Sequence, residues 1–282
     1  ARQAQLAAVP GRAQEPGEIR PCGQVETQRG RRSAVRSDAM SSARCGILVG
    51  VVVLLAACGD DGPGGSMDTS AEGANQNCGN ETRPTYLIIE SEADLAELDG
   101  VRVIEGDVQV NRTSFADLDA FACLEEVGGM LTIFGNTELT DLSGLDRLER
   151  IGGGFVFSEN TAVPDLAGLG SLREIGEIVQ VEVDGQLVDQ PQGSLVIQDN
   201  DAMTGISGMT SLATIWGALN IRDNDVVEHI DGLRGLRTLG TQFAVTHNPS
   251  LCISSVNQVG AGITDPAQPR DNWSSRANDD GC

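Results

Sequence analysis

The chain repeats itself every 24 residues. One asparagine column runs through Asn136, Asn160, Asn200, Asn224 and Asn248, in steps of 24, 40, 24 and 24. A leucine column (Leu124, Leu148, Leu172, Leu212 and Leu236) and a glycine column (Gly144, Gly168, Gly208 and Gly232) keep the same count. One such unit is too small to bury its own apolar side, so neighbouring units must stack and share a core.

Each repeat reads LxxIGGxLxIxxN, and apolar residues alternate in its second half. The pair Phe155 and Phe157 is typical, and this period of two predicts a short strand with one inward face. Glycines before the strand and in the LxGL segment predict tight corners with positive φ. The asparagine is expected to bond backbone groups of the turn, which is a structural role and not a catalytic one. An irregular first coil has Thr113 at the asparagine position.

This pattern, followed by LxxLxGLxxL, resembles the receptor L domain and related leucine-rich-repeat solenoids over residues 78–259. The resemblance implies a mainly β, right-handed parallel solenoid of 24-residue coils, with capped ends and one parallel sheet. The family uses this fold to bind proteins or glycans, and the resemblance implies no reaction. Similar single-domain proteins occur as bacterial lipoproteins.

The segment before the repeats has the features of an export signal. Residues 40–57 begin at Met40, pass Arg44 and continue in an apolar run of 13 residues from position 45. That run is too short to span a bilayer but fits a signal peptide. Its end, Leu55-Ala56-Ala57-Cys58, resembles a bacterial lipobox, which implies lipidation of Cys58. An ordinary signal peptide with a chance cysteine, or a short core helix, remains an alternative.

The other N-terminal segments follow from this interpretation. Residues 1–39 precede the first Met and lack apolar periodicity, so we expect them to be a disordered upstream extension that is not native. Residues 58–77 are rich in Gly, Ser and Asp and are expected to form a flexible tether. The protein is therefore expected in the bacterial cell envelope, attached by lipid at the outer membrane or cell surface.

The charge of residues 58–282 excludes one class of partner. This part of the chain carries 11 of the 19 basic residues and 37 of the 41 acidic ones, so its formal charge is 11 − 37, or −26. A nucleic-acid backbone would be repelled. No nucleic-acid partner is expected, and no motif points to a cofactor.

Four cysteines remain after Cys58, two around each end of the repeats. We expect disulfides between Cys78 and Cys123 and between Cys252 and Cys282, which would tie back a C-terminal tail of residues 260–282. Free thiols or a metal site are less favoured, because no CxxC or histidine spacing accompanies these cysteines.

The 40-residue step marks an insertion at 176–194. Two alternating runs flank Asp184-Gly185 and predict a β-hairpin. This flap either shapes a ligand surface or is a tolerated decoration.

Candidate site residues lie on the outward positions of the strands. The predicted ligand-binding residues are Thr132, Phe134, Val156, Val196, Gln198, Asn220 and Arg222. Weak Ca²⁺ binding is conceivable at a second set of carboxylates, but a turn role is favoured for them. That set is Asp199, Asp201, Asp223 and Asp225. His229 and His247 accompany no nucleophile pattern, and we expect them to be exposed or capping.

These residues are compatible with three functions. The leading hypothesis is a membrane-anchored binding or adhesion module without catalysis, which recognises a protein or a glycan through its sheet face. The alternative is a structural envelope lipoprotein that has no specific ligand. A polysaccharide-acting solenoid enzyme is weaker, because Arg222 is the one base on the outward rows.

Overall fold

The computed structural model describes residues 78–83, 85–265 and 273–282, which belong to one compact unit at 67–282. The expected extension (1–39), signal peptide (40–57), lipidation site Cys58 and tether (58–77) lie outside the described residues. No helix in the described ranges has the length and apolarity of a membrane span.

The described part of the chain is mainly β. In chain order the strands are β1 (Glu81–Arg83), β2 (Leu87–Ile89), β3 (Val101–Ile104), β4 (Val108–Asn111), β5 (Glu126–Val127), β6 (Leu131–Phe134), β7 (Arg150–Ile151), β8 (Phe155–Ser158), β9 (Glu174–Ile175), β10 (Glu177–Val183), β11 (Gln186–Gln192), β12 (Leu195–Gln198), β13 (Thr214–Ile215), β14 (Leu219–Arg222), β15 (Thr238–Leu239), β16 (Phe243–Thr246), β17 (Asn248–Cys252) and β18 (Asn278–Asp279). The α-helices are α1 (Glu92–Ala96) and α2 (Ile253–Gly262). Short 3₁₀ helices span Asp119–Phe121, Ser143–Leu145, Ala167–Leu169 and Asp231–Gly235.

Two parallel sheets of seven strands run through the repeats. The broad sheet has the order β16-β14-β12-β8-β6-β4-β2, and the narrow sheet has the order β1-β3-β5-β7-β9-β13-β15. The long parallel sheets confirm the mainly β, parallel prediction. The expectation of one parallel sheet was wrong, because the LxxI corner also pairs from repeat to repeat. In that corner Ile151 aligns with Ile175, and both are buried.

The broad sheet is in exact register with the sequence repeat. Leu131 pairs with Phe155, Phe155 with Leu195, and Leu195 with Leu219. These inward residues are fully buried and belong to one continuous apolar core that reaches from Ile89 to Ile263. The insertion therefore leaves the pairing between β8 and β12 intact.

The asparagine column forms a buried ladder. The side-chain oxygen of Asn224 accepts from the backbone N–H of Asn200 (3.2 Å), while its Nδ2 donates to the carbonyl of Ile197 (3.1 Å). The same two kinds of bond recur from Asn136 to Asn248. Thr113 begins the ladder by donating its N–H and hydroxyl to Asn136. The asparagines thus satisfy backbone groups inside the turns, as the sequence predicts.

Positive φ occurs mainly in a column other than the expected ones, although Gly176 and Gly193, which precede β10 and β12, have the expected positive φ. The residue before each ladder position is left-handed: Arg112, Gly135, Glu159, Asp199, Asp223, His247 and Ala277. The LxGL glycines have no positive φ. A Cβ on Gly144 or Gly168 would lie 1.8 Å from a backbone oxygen of the preceding repeat. These glycines are needed because adjacent repeats approach too closely for a side chain.

Each end of the repeat region is closed by a disulfide. Cys78 is bonded to Cys123 and Cys252 to Cys282, the pairing expected from the sequence. At the C-terminal end, β18 pairs with β17, and Asn278 accepts a hydrogen bond from the N–H of Asn248 at 3.3 Å. The tail thus supplies one more ladder position.

Candidate functional site

The outer face of the broad sheet carries the predicted ligand-binding residues in two aligned rows. Thr132, Val156, Val196 and Asn220 share one row; Phe134, Ser158, Gln198 and Arg222 share the next. All seven predicted residues therefore lie on one face. Arg222 is exposed and the other six are half-buried.

Ser158 is the exception within its row, because it is buried. It stands in register between Phe134 and Gln198, whose longer side chains flank it on either side. This position therefore belongs to the floor of the face and offers little contact area to a ligand.

A third outward row lies one alternation earlier along the strands, and it contains the exposed apolar side chain of Met130. Met130, Gly154 and Ser194 directly precede the first inward residues of their strands. Met130 is 43% exposed, and its Cε would be 3.8 Å from a Cβ at Gly154. Met130 is not among the residues predicted from the sequence, although extending the period of two by one step back from Thr132 reaches it.

A groove of about 450 Å³ opens where these rows meet the insertion. Val156 and Val196 line it together with Met130 and Gly154, while Asp107, Glu177 and Gln192 provide polar atoms at its rim. The Asp107 carboxylate accepts a hydrogen bond from the N–H of Met130 at 2.8 Å. The groove thus combines an apolar floor with a polar rim, which is the usual composition of a ligand site.

The insertion forms one wall of this groove. β10 and β11 pair antiparallel across a two-residue loop, and both loop residues, Asp184 and Gly185, have positive φ. This confirms the predicted hairpin. At its base Gly176 and Gly193 are in direct contact, since a Cβ on Gly193 would lie 2.3 Å from the Cα of Gly176.

A second depression, of about 740 Å³, lies at the opposite ends of the strands. It is lined by residues with a left-handed backbone and by residues that follow the asparagine ladder positions, among them Arg112, Thr137, Glu159 and Asp199. The Arg112 guanidinium stacks over the Phe134 ring, with its Cζ 4.8 Å from the ring centroid. This contact covers one face of the Phe134 ring, which is the aromatic side chain among the predicted ligand-binding residues.

The carboxylates considered for Ca²⁺ lie on neighbouring turns, where the backbone N–H of Asp199 donates to the carbonyl of Asp223 at 3.1 Å. Among the residues that the structure describes, no group of three or more His, Cys, Asp or Glu is arranged to hold a metal ion. Asp199 and Asp201 border the second depression, and Asp223 forms an ion pair with Arg222 at 3.2 Å. His229 and His247 are both exposed.

The narrow sheet has a different outer face, which is polar and internally paired. Arg150 lies between Glu126 (2.8 Å) and Glu174 (3.8 Å) on the neighbouring strands, and Trp216 donates its indole N–H to Glu174. Because these groups satisfy one another, this face suits a structural role better than a ligand site.

A comparison with protein-family models and with curated protein sequences finds no match to this chain. The resemblance to receptor L domains therefore stays a prediction.

Deleting residues 177–192 should leave the fold intact while opening the groove. The deletion joins Gly176 to Gly193, which are already in contact, and restores the 24-residue spacing. We expect the free energy of unfolding to change by about 1 kcal/mol or less, because a surface insertion adds little to the stability of the core. Chemical denaturation followed by circular dichroism would measure this. Loss of cooperative unfolding would show instead that the hairpin is part of the core structure.

Proposed function

We propose that the chain is a non-catalytic binding module, anchored to the bacterial envelope through lipid on Cys58, that recognises a protein or glycan on the outer face of its broad sheet. The fold in this proposal is a right-handed parallel solenoid of the receptor L domain type. The groove of about 450 Å³ between the hairpin base and the three outward rows is the observation that carries it.

The distribution of polar and apolar groups supports this choice of face. The groove has apolar side chains at its floor, whereas the narrow sheet pairs its charges internally. A half-buried apolar floor gains free energy when a ligand covers it, while paired surface charges gain little. The broad-sheet face is therefore the better binding surface of the two.

Rigidity also supports a recognition role. The residues of the face stand on strands whose inward neighbours are fully buried, and the asparagine ladder fixes the turn at the end of each strand. A surface held in this way loses little conformational entropy when it binds. The hairpin adds a distinct wall on one side.

The test is a binding screen with matched surface variants. The full chain would be titrated against arrayed glycans and purified envelope proteins, and each ligand found would be retested with Val156→Gln. We expect at least a tenfold loss of affinity, because glutamine places an amide on the apolar floor. Thr246→Gln is the matched control, since Thr246 lies outside the groove on the last broad-sheet strand.

Two results would contradict the proposal. If no glycan or envelope protein binds, the structural envelope protein becomes the better account. If the chain degrades a polysaccharide and Asp199→Asn abolishes that turnover, the module is an enzyme whose centre lies in the second depression.

A further inference from the structure

We propose that the outer edge of β10 is a docking edge for an extended segment of a partner protein whose side chains alternate between aliphatic and basic. The segment adds to the hairpin as a third strand. This inference concerns the projecting hairpin and not the groove, so it can hold or fail independently of the proposed function.

The geometry of the loop decides which backbone groups are free. A two-residue loop makes Val183 and Gln186 a hydrogen-bonded pair, and bonded and non-bonded pairs alternate from there. Ile178, Gln180 and Glu182 therefore point their N–H and C=O groups away from β11. The hairpin sheet has two strands, and within the described ranges no other backbone group bonds to these three residues.

The two edges of the hairpin are not equivalent. On β11 the corresponding outward positions include Pro191, which stands opposite Ile178 and has no N–H. β10 offers three donors and three acceptors, whereas β11 offers one donor fewer. An incoming strand would therefore pair more completely with β10.

One face of the hairpin is an exposed aliphatic surface. Val181 pairs across the strands with Val188, and Val179 and Val183 lie on the same face at alternate positions of β10. Val183 is 48% exposed and Val188 is 43% exposed. Aliphatic side chains of an added strand would cover these valines, and cross-strand pairs of this kind stabilise a sheet.

The opposite face of the hairpin carries Glu182 and Asp189 beside Ile178, Gln180 and Leu187, and the hairpin as a whole is acidic. Residues 177–192 contain Glu177, Glu182, Asp184 and Asp189 and no basic residue. Glu177 is 3.9 Å from Arg150, and no ion pair involves the other three within the described part of the chain. Basic side chains on the second face of a strand added to β10 would lie next to Glu182 and would be attracted by the net negative charge of the hairpin. A second copy of the hairpin would instead bring eight carboxylates together, so charge favours a basic partner.

Adding a third strand would also stabilise the hairpin itself. A two-stranded ribbon is marginally stable in water, and three strands with an apolar face are considerably better. Main-chain hydrogen bonds would supply affinity, and the alternating side chains would supply specificity, as in other cases of strand addition.

The experiment titrates the full chain with a fluorescent nine-residue peptide of alternating Lys and Val, blocked at both ends, and follows its anisotropy. We expect saturable binding of the alternating peptide. A control peptide of the same composition, with all its lysines in one block and all its valines in another, should show no saturable binding. A copy of the alternating peptide N-methylated on every second residue should bind at least tenfold more weakly, since it cannot pair along one edge.

Two substitutions test the edge from the protein side. Gln180→Pro removes the central outward N–H of β10 but no hydrogen bond between the two strands, and Pro191 already occupies a position of this type. We expect at least a tenfold loss of affinity for Gln180→Pro, and less than a twofold change for Gln180→Ala, which keeps the N–H. Glu182→Gln should weaken binding and reduce its dependence on salt.

The outcomes that overturn the proposal are distinct. Equal binding of the alternating, block and N-methylated peptides would mean charge attraction alone. Dimerisation of the chain that Gln180→Pro abolishes, seen by analytical ultracentrifugation, would make a second copy the occupant. Because Val156 lies outside the hairpin, Val156→Gln should leave peptide binding unchanged, which separates this result from that of the groove.

Discussion

The Asn224→Ala variant should lose about 3 kcal/mol or more of its free energy of unfolding. The Asn224 side chain accepts from the N–H and the side-chain amide of Asn200 and donates to the carbonyls of Ile197 and Arg222. Alanine keeps the turn but leaves buried polar groups without partners, each at roughly 1–3 kcal/mol. Urea unfolding followed by circular dichroism measures the loss.

Asn220→Ala is the matched control for this variant. Asn220 belongs to the same repeat, but it lies on the half-buried outer face of β14. When the Asn220 amide is removed, water can hydrogen-bond to the groups around it. The free energy of unfolding should therefore change by about 0.5 kcal/mol or less. Equal effects of the two substitutions would mean that the ladder contributes nothing beyond local turn preference.

The Gly168→Ala variant should be destabilised to a similar extent, for a steric reason. A Cβ at position 168 would lie 1.8 Å from the carbonyl oxygen and 2.2 Å from the carbonyl carbon of Leu142. Because both are backbone atoms, no side-chain rotation relieves the clash, and the two repeats must separate. Overpacking of this kind costs about 3 kcal/mol, which lowers the melting temperature by roughly 6–12 °C in a domain of this size.

Gly170→Ala provides the comparison within the same turn. Gly170 has φ −62° and ψ −26°, and the atom nearest to an added Cβ is 3.6 Å away. Alanine fits there without strain and should leave the melting temperature unchanged or slightly higher. If differential scanning fluorimetry gave both variants the same melting temperature, close approach between repeats would not be the reason for the glycine column.

Much of this architecture could be predicted from spacing alone. The apolar alternation in each repeat identified the strands of the broad sheet, and the Asp184-Gly185 pair identified the hairpin. These predictions succeeded because period and turn chemistry are local properties of the sequence. The outward rows followed directly, since in-register stacking places equivalent residues side by side.

Other features depend on contacts that no local pattern records. The left-handed column includes Arg112, Glu159 and His247, which share no chemistry, so its conformation comes from the turn and not from residue type. The sequence predicted correctly that the LxGL column requires glycine, but it attributed this to positive φ. The actual reason is the close approach of the preceding repeat's backbone, which is visible only once the repeats are stacked. Asn278 was missed since it follows Asn248 by 30 residues and breaks the 24-residue count.

The asparagine ladder has a consequence for how such a chain can change in length. Each asparagine bonds to the next one and to the strand before it, and it makes no bond that depends on its position from either end. Duplication or loss of one whole 24-residue unit would therefore leave the same kind of asparagine bonds at every remaining junction. Gene-level gain or loss of repeats could lengthen or shorten the outer face of the broad sheet while both disulfide-closed ends stay the same.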